Sequence, residues 1–203
     1  MKKLEGQKLK VWDVIKSDVT RYNGTYRLLG LARLLLIDRT FRPIFTMRLC
    51  NAANCLPKSI KNIFLWIARF FHYRTQQLAG IDLPWETRIS PGFRIMHGWG
   101  LVISAGTNIG RNVTVFHGVT IGKKKWVSSK IQASSYPTVM DDVWIGPHAV
   151  IIGGVTIGRG SRIAAGTIIT KDVAPYSIVA GNPGRVIKFD AVPDVKFPAR
   201  FDY

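Results

Sequence analysis

Four histidines, His72, His97, His117 and His148, are the side chains of this 203-residue chain best suited to moving a proton near neutral pH. An imidazole acts as a general base there without a large shift of its pKa. Their surroundings differ. His72 lies among residues with helical spacing and reads as a surface or packing group, while His148 sits in an ordinary six-residue unit and reads as a coil-surface residue. His97 and His117 remain as the candidates for chemistry. A metal site is the competing use of such side chains. The 31 positions between His117 and His148 are not a whole number of repeat units, although an extruded loop between them blurs the count. No metal is expected.

The elements that must position these groups are announced by a ladder. Ile103, Ile109, Val115, Ile121, Val127, Ala133, Val139, Ile145, Ile151, Ile157, Ile163 and Ile169 recur every six residues and are all aliphatic. Hairpin-paired strands alternate with period two and do not hold a period of six over this length. The pattern fits a solenoid. A strand of about six residues, at roughly 3.3 Å per residue, forms one side of a triangular coil, and three sides close a coil of about eighteen. Rung side chains then stack inward as an aliphatic column. Ile89 and Ile95 are out of frame with this ladder by two residues, which places an insertion around His97 to Gly100.

The segment before the ladder reads as helices. Trp12, Ile15, Val19 and Tyr22 share one stripe, Pro43 stands where a helix could begin, and Pro57 precedes Ile60, Ile63, Phe64, Ile67, Phe70 and Phe71. Lys58, Lys61, Arg69 and Arg74 make this last helix basic. It suits either packing against helices or a neighbouring subunit, or an anionic membrane surface, and packing is favoured. Leu78-Ala79-Gly80 marks the boundary. The net charge of +17 is concentrated here, with +11 in residues 1–80 and +6 in residues 81–203. Such a surface attracts phosphate groups. No zinc spacing, recognition-helix motif or aromatic RNA-binding box accompanies it, so nucleic acid is not expected. Cys50 and Cys55 have neither metal-ligand spacing nor framework density, which predicts a cytoplasmic chain without a disulfide. There is no signal-peptide pattern at Met1 to Gly6, and no apolar run approaches the ~20 residues of a spanning helix.

Val143-Trp144-Ile145-Gly146-Pro147-His148-Ala149-Val150-Ile151-Ile152-Gly153-Gly154-Val155-Thr156-Ile157-Gly158, followed by Ala180-Gly181-Asn182-Pro183-Gly184-Arg185, resembles the hexapeptide-repeat acyltransferases. Gly80-Ile81-Asp82, Ile95-Met96-His97-Gly98 and Val115-Phe116-His117-Gly118-Val119-Thr120 are most similar to the serine acetyltransferase branch, which includes capsular and exopolysaccharide O-acetyltransferases. The likeness spans about residues 80–189, and more weakly Lys16 to Tyr22. It implies a mainly β fold, a left-handed parallel β-helix of hexapeptide repeats with an N-terminal α-helical domain, divided as 1–79, 80–189 and a 190–203 tail. It also implies a homotrimer, with a dimer of trimers through the N-terminal helices as the larger assembly, and acetyl-CoA in the cleft between prisms.

The same resemblance implies roles for single residues. His97 matches the catalytic base and Asp82 the aspartate that orients it; their fifteen-residue spacing, close to one coil, would stand them on neighbouring strands roughly 5 Å apart. His117 would line the same cleft. Gly146, Ala165, Thr170 and Lys171 would border the pantetheine arm of coenzyme A, with Arg185 and Lys188 nearer its phosphates. The loop from Lys123 to Pro137 would extrude and cover the site. Serine acetyltransferases usually carry a histidine before the proline of that loop, whereas this chain has Tyr136-Pro137, and its end, Arg200-Phe201-Asp202-Tyr203, lacks the usual isoleucine. These departures, with the basic and shorter helical part, favour a saccharide hydroxyl as acceptor, with serine as the alternative. The contrasting class, a scaffold or lipid-binding module without catalysis, would bind anionic vesicles and no coenzyme A.

Overall fold

A computed structural model describes residues 10–124 and 135–199 of the chain. Four helices come first: α1 (Val11–Asn23), α2 (Leu28–Ile37), α3 (Phe41–Asn54) and α4 (Lys58–Ala79). Fourteen short strands follow: β1 (Arg88–Ile89), β2 (Arg94–Met96), β3 (Val102–Ile103), β4 (Asn108–Ile109), β5 (Thr114–Phe116), β6 (Thr120–Gly122), β7 (Thr138–Val139), β8 (Trp144–Ile145), β9 (Val150–Ile152), β10 (Thr156–Ile157), β11 (Arg162–Ile163), β12 (Ile168–Ile169), β13 (Ile178–Ala180) and β14 (Arg185–Lys188). They form three sheets, ordered β1-β4-β7-β10, β3-β6-β9-β12 and β2-β5-β8-β11-β13-β14. Every pairing is parallel except that of β14 with β13. From β1 to β13 consecutive strands belong to different sheets, so the chain coils as a three-sided prism.

The ladder is the reason. Its ten rungs within the described residues are each at most 3% exposed, and each such side chain contributes about 1.5–3 kcal/mol by leaving water. Val127 and Ala133, the other two rungs, lie outside the described residues, as does most of the loop expected to cover the site. Register shows where the coil departs from regularity. Ile95 pairs with Val115, an offset of 20; Val115 with Ile145, an offset of 30; and Ile145 with Ile163, an offset of 18. The offset of 20 reflects the two-residue insertion, taken up at His97 (φ 68°), Gly98 and Gly100 (φ 70° each). The offset of 30 accommodates the stretch after Gly122.

Helix ends explain the appendage. α1 stops at Gly24, whose φ of 81° is left-handed, and α4 stops at Gly80 with φ 64°. α3 begins two residues before Pro43, because the Asp38 carboxylate accepts from the Thr40 and Phe41 amides at 2.8 and 3.1 Å and caps the helix there. On α4 the apolar stripe expected to pack against helices or a neighbouring subunit, Ile60, Ile63, Phe64, Ile67, Phe70 and Phe71, is 41–62% exposed in the single chain, whereas Ala68, His72 and Ala79 are buried. Small residues win that face because they let α4 approach α3 and the first coil closely. Among the described residues no helix is long and apolar enough to cross a membrane.

His72 is a packing group. Its Nε2 lies 2.8 Å from the Leu83 carbonyl and its Nδ1 3.0 Å from Thr46 Oγ1, and burial pushes its pKa below the usual 6.5. A histidine held neutral in the fold takes a proton more readily once unfolded, so its contribution is complete above the unfolded value and lost as pH falls below it. His72→Gln is therefore expected to be less stable than the parent near pH 7.5, with the gap shrinking toward about pH 5.5 in urea unfolding. A gap that widens in acid would contradict this assignment.

The last described residues run back along the prism. Ala191 N donates to the Tyr176 carbonyl at 2.7 Å and Ala199 N to Asn112 Oδ1 at 3.0 Å. Cys50 is buried and Cys55 exposed, both as free thiols.

Candidate active site

One edge of the prism, between the six-stranded sheet and the β3-β6-β9-β12 sheet, collects the imidazoles. The chain turns there after β2, β5, β8 and β11, at His97-Gly98, His117-Gly118, Pro147-His148 and Ala165-Gly166. Backbone bonds stack the turns: Gly118 N donates to Trp99 O at 2.8 Å, His148 N to His117 O at 3.0 Å, and Gly166 N to Pro147 O at 2.8 Å. The rings of His97 and His117 are 5.9 Å apart between centroids, and those of His117 and His148 are 5.0 Å apart at 90°. His148, read from sequence as an ordinary coil-surface residue, is thus the third member of the stack. The spacing of 31 concealed it, because the offset between these two coils is 30 and the ring reaches back one position. Among the described residues no group of three or more His, Cys, Asp or Glu side chains could hold a metal ion.

His97 is solvent-exposed on its corner, and Phe116 stands 6.3 Å from it between ring centroids. Its backbone is braced from the helices. The Arg39 guanidinium donates to the His97 carbonyl and stacks 4.2 Å over the Trp99 ring. Tyr22 Oη accepts from Ile95 N at 3.1 Å on the strand that delivers His97. Deeper down, Asp18 Oδ1 accepts from Gly92 N at 2.8 Å and Phe93 N at 3.1 Å, while Arg48 Nε donates to Asp18 Oδ2 at 2.9 Å. Burial pushes the Asp18 carboxyl above its ordinary range, opposed by the Arg48 charge and these hydrogen bonds. Arg21 adds bonds to Gly92 O at 3.0 Å and Thr114 Oγ1 at 2.7 Å. The faint likeness over Lys16 to Tyr22 was the sequence signal for this brace.

Asp82 is exposed, and its strand neighbour is Val102, twenty positions on, rather than His97. The fifteen-residue spacing therefore does not correspond to strand neighbours: it is shorter than the coil and leaves His97 at the turn between β2 and β3. Asp82 N donates to Leu101 O at 2.8 Å and Gly100 N to Gly80 O at 2.8 Å. A Cβ on Gly98 would lie 3.6 Å from Ile81 Cγ2, so the 80–82 segment borders the His97 turn. Among the described residues the Asp82 carboxylate makes no hydrogen bond to His97.

All but one of the residues expected at coenzyme A fall into two groups. Gly146 is buried, and a Cβ there would come within 2.8 Å of Ala165 N, so glycine lets these two turns touch on the histidine edge. Thr170, Lys171 and Arg185 line a cleft of about 50 Å³ beside Pro183 and Gly184. Lys188, exposed at the far end of β14 opposite Ile178, is in neither group. A larger groove of about 440 Å³ lies between α4 and Pro84-Trp85, but the histidine in its lining is His72, both of whose ring nitrogens are engaged within the fold. Proton transfer requires a titratable group at the reacting atoms, so the histidine edge is the candidate site.

A three-sided prism of six-residue sides defines a hexapeptide-repeat β-helix, here with imidazoles stacked on one edge. Residues 136–171 match the family described as bacterial transferase hexapeptide (six repeats). The serine acetyltransferase of Bacillus subtilis (strain 168) is 39% identical over 127 residues, 63% of this chain and 57% of that protein. That of Helicobacter pylori (strain ATCC 700392 / 26695) is 31% identical over 157 residues, 77% of this chain and 86% of that protein. The solved serine acetyltransferase of Brucella abortus strain S19 in complex with coenzyme A is 27% identical, with a TM-score of 0.67 over 87% of this chain and 66% of that one. The chain belongs to the serine acetyltransferase family of hexapeptide-repeat enzymes, and its coil has the left-handed winding of that fold. It spans 57% of the length of the B. subtilis relative.

These relatives overturn the saccharide acceptor. One feature that favoured it, Tyr136, has a structural use: a Cβ on Gly106 would lie 2.5 Å from the Tyr136 ring, so this side chain packs across Gly106 on the preceding coil. Its difference from histidine therefore says nothing about sugars.

Proposed function

We propose that this chain transfers an acetyl group from acetyl-CoA to the hydroxyl of serine. A hydroxyl is a poor nucleophile at neutral pH, and His97 takes its proton as the oxygen attacks the thioester carbonyl. The new C–O bond forms, the C–S bond breaks, and the imidazolium returns the proton to the departing thiolate. Transfer is direct, with no acyl-enzyme. Asp82, on the segment that borders the His97 turn, stabilises through its charge the imidazolium formed in passing. His117 lines the same cleft. Gly146 and Ala165 border the pantetheine arm, and Thr170, Lys171, Arg185 and Lys188 face the more polar parts of coenzyme A.

The observation that carries this reading is the exposed His97 corner in a chain whose similar relatives are serine acetyltransferases. A homotrimer accompanies it, with the outward apolar stripe of α4 as contact surface between subunits. The test is thiol release from acetyl-CoA with and without serine. Saturable release that requires serine, yielding O-acetylserine, is expected; a rate independent of serine across a wide concentration range would remove serine as the acceptor.

A further inference from the structure

His148 occupies a position that its neighbours fill with glycine. Gly118, His148 and Gly166 make the same backbone bond to the preceding coil, and their φ values are 66°, 57° and 66°. Glycine is the residue that adopts this left-handed conformation without strain. A histidine here costs stability, and such cost is retained at positions that serve function. The space around it shows the same compromise. A Cβ on Gly118 would lie 2.2 Å from His148 Nδ1, whereas a Cβ on Gly166 would meet nothing within 4 Å. The coil above has thus been cleared of a side chain so that the His148 ring can lie across it.

That ring abuts His117 edge to face, 5.0 Å between centroids at 90°. His117 Nδ1 is buried and has no hydrogen-bond partner among the described residues. Nothing polar fixes the His117 ring from that side, so its orientation depends on packing. We propose that His148 is a positioning residue: it holds the His117 imidazole upright beside His97, 5.9 Å away, in the acceptor cleft. The inference rests on the acetyl-transfer reading above, and His148 itself touches no reacting atom.

The test uses His148→Gly, which removes the ring and relieves the strain together. Its melting temperature is expected at or above that of the parent, while kcat for acetyl transfer falls about tenfold with KM for acetyl-CoA unchanged. The kcat loss should disappear in a His117→Ala background, because the two residues act as one unit. The ring ¹⁵N shifts of His117 should also move in His148→Gly. A kcat within about twofold of the parent, or an equal loss in the His117→Ala background, overturns the proposal. Should the parent release no thiol with any acceptor, the acetyl-transfer reading fails separately, and the His117 shifts alone decide: movement supports the positioning contact and unchanged shifts reject it.

Discussion

His97→Ala is expected to lower kcat for acetyl transfer by a hundredfold or more while leaving KM for acetyl-CoA nearly unchanged. General-base catalysis contributes typically 10²–10⁴-fold, so the loss corresponds to about 2.7 kcal/mol of transition-state stabilisation at the least. Folding should not confound the result. The His97 side chain is exposed, and the bonds that fix this corner run through its backbone carbonyl, which Arg39 and Trp99 N both use. Alanine at a φ of 68° carries the same kind of strain as the histidine it replaces. Asp82→Asn should cost less, roughly tenfold, because it removes a stabiliser and not the base. The measurement is steady-state thiol release; a turnover unchanged in His97→Ala sinks the assignment.

The largest effect on stability is expected far from the reacting atoms, at Asp18. This carboxylate and Arg48 form an ion pair whose side chains are 1% and 5% exposed. Arg48 also donates to Ile89 O at 2.7 Å and Ser90 O at 3.1 Å, so the pair ties together both sides of the turn leading into β2. Asp18→Ala would leave a buried guanidinium and the Gly92 and Phe93 amides without their acceptor. Breaking one side of a buried pair costs about 3–5 kcal/mol. Arg48→Met should cost a similar amount by stranding the carboxylate, and the double replacement Asp18→Leu with Arg48→Met should recover much of it. Urea unfolding measures all three; single-variant losses below about 1 kcal/mol would mean that water reaches the pair. Because β2 delivers His97, any folded fraction of Asp18→Ala should also turn over more slowly.

The parts of the fold legible in sequence are those governed by local repetition. Each rung of the ladder repeats one demand, an aliphatic side chain pointing inward every six residues, and the slip between Ile95 and Ile103 marked the insertion at His97. The boundary at Leu78-Ala79-Gly80 was likewise legible, because the first repeat-like aliphatic positions follow it. The spacing of α4 offered two faces, one long and apolar, one small. Burial selected the small face, since Ala68 and Ala79 permit close approach, and that preference depends on the partner surface rather than on the helix.

The candidate site divides along the same line. His97 and His117 could be named from residue type and resemblance, and Gly146 with Ala165 from resemblance alone. His148 could not. Its distance from His117 in the chain includes a loop of undetermined registry, and only the stacked backbone bonds reveal that the two rings meet at 5.0 Å. Tyr136 shows the converse error: a residue read as a specificity mark is engaged in packing over Gly106.

The sequence by itself determined the prism, because a six-residue period can be satisfied only by stacking equal sides around one aliphatic column. Which side chains meet on its edge was decided by tertiary structure alone. Coil-to-coil registry depends on how many residues each turn and loop adds to the count, and the insertions at His97 and after Gly122 change the offset across their own coils to 20 and 30, against 18 in the regular coil that follows.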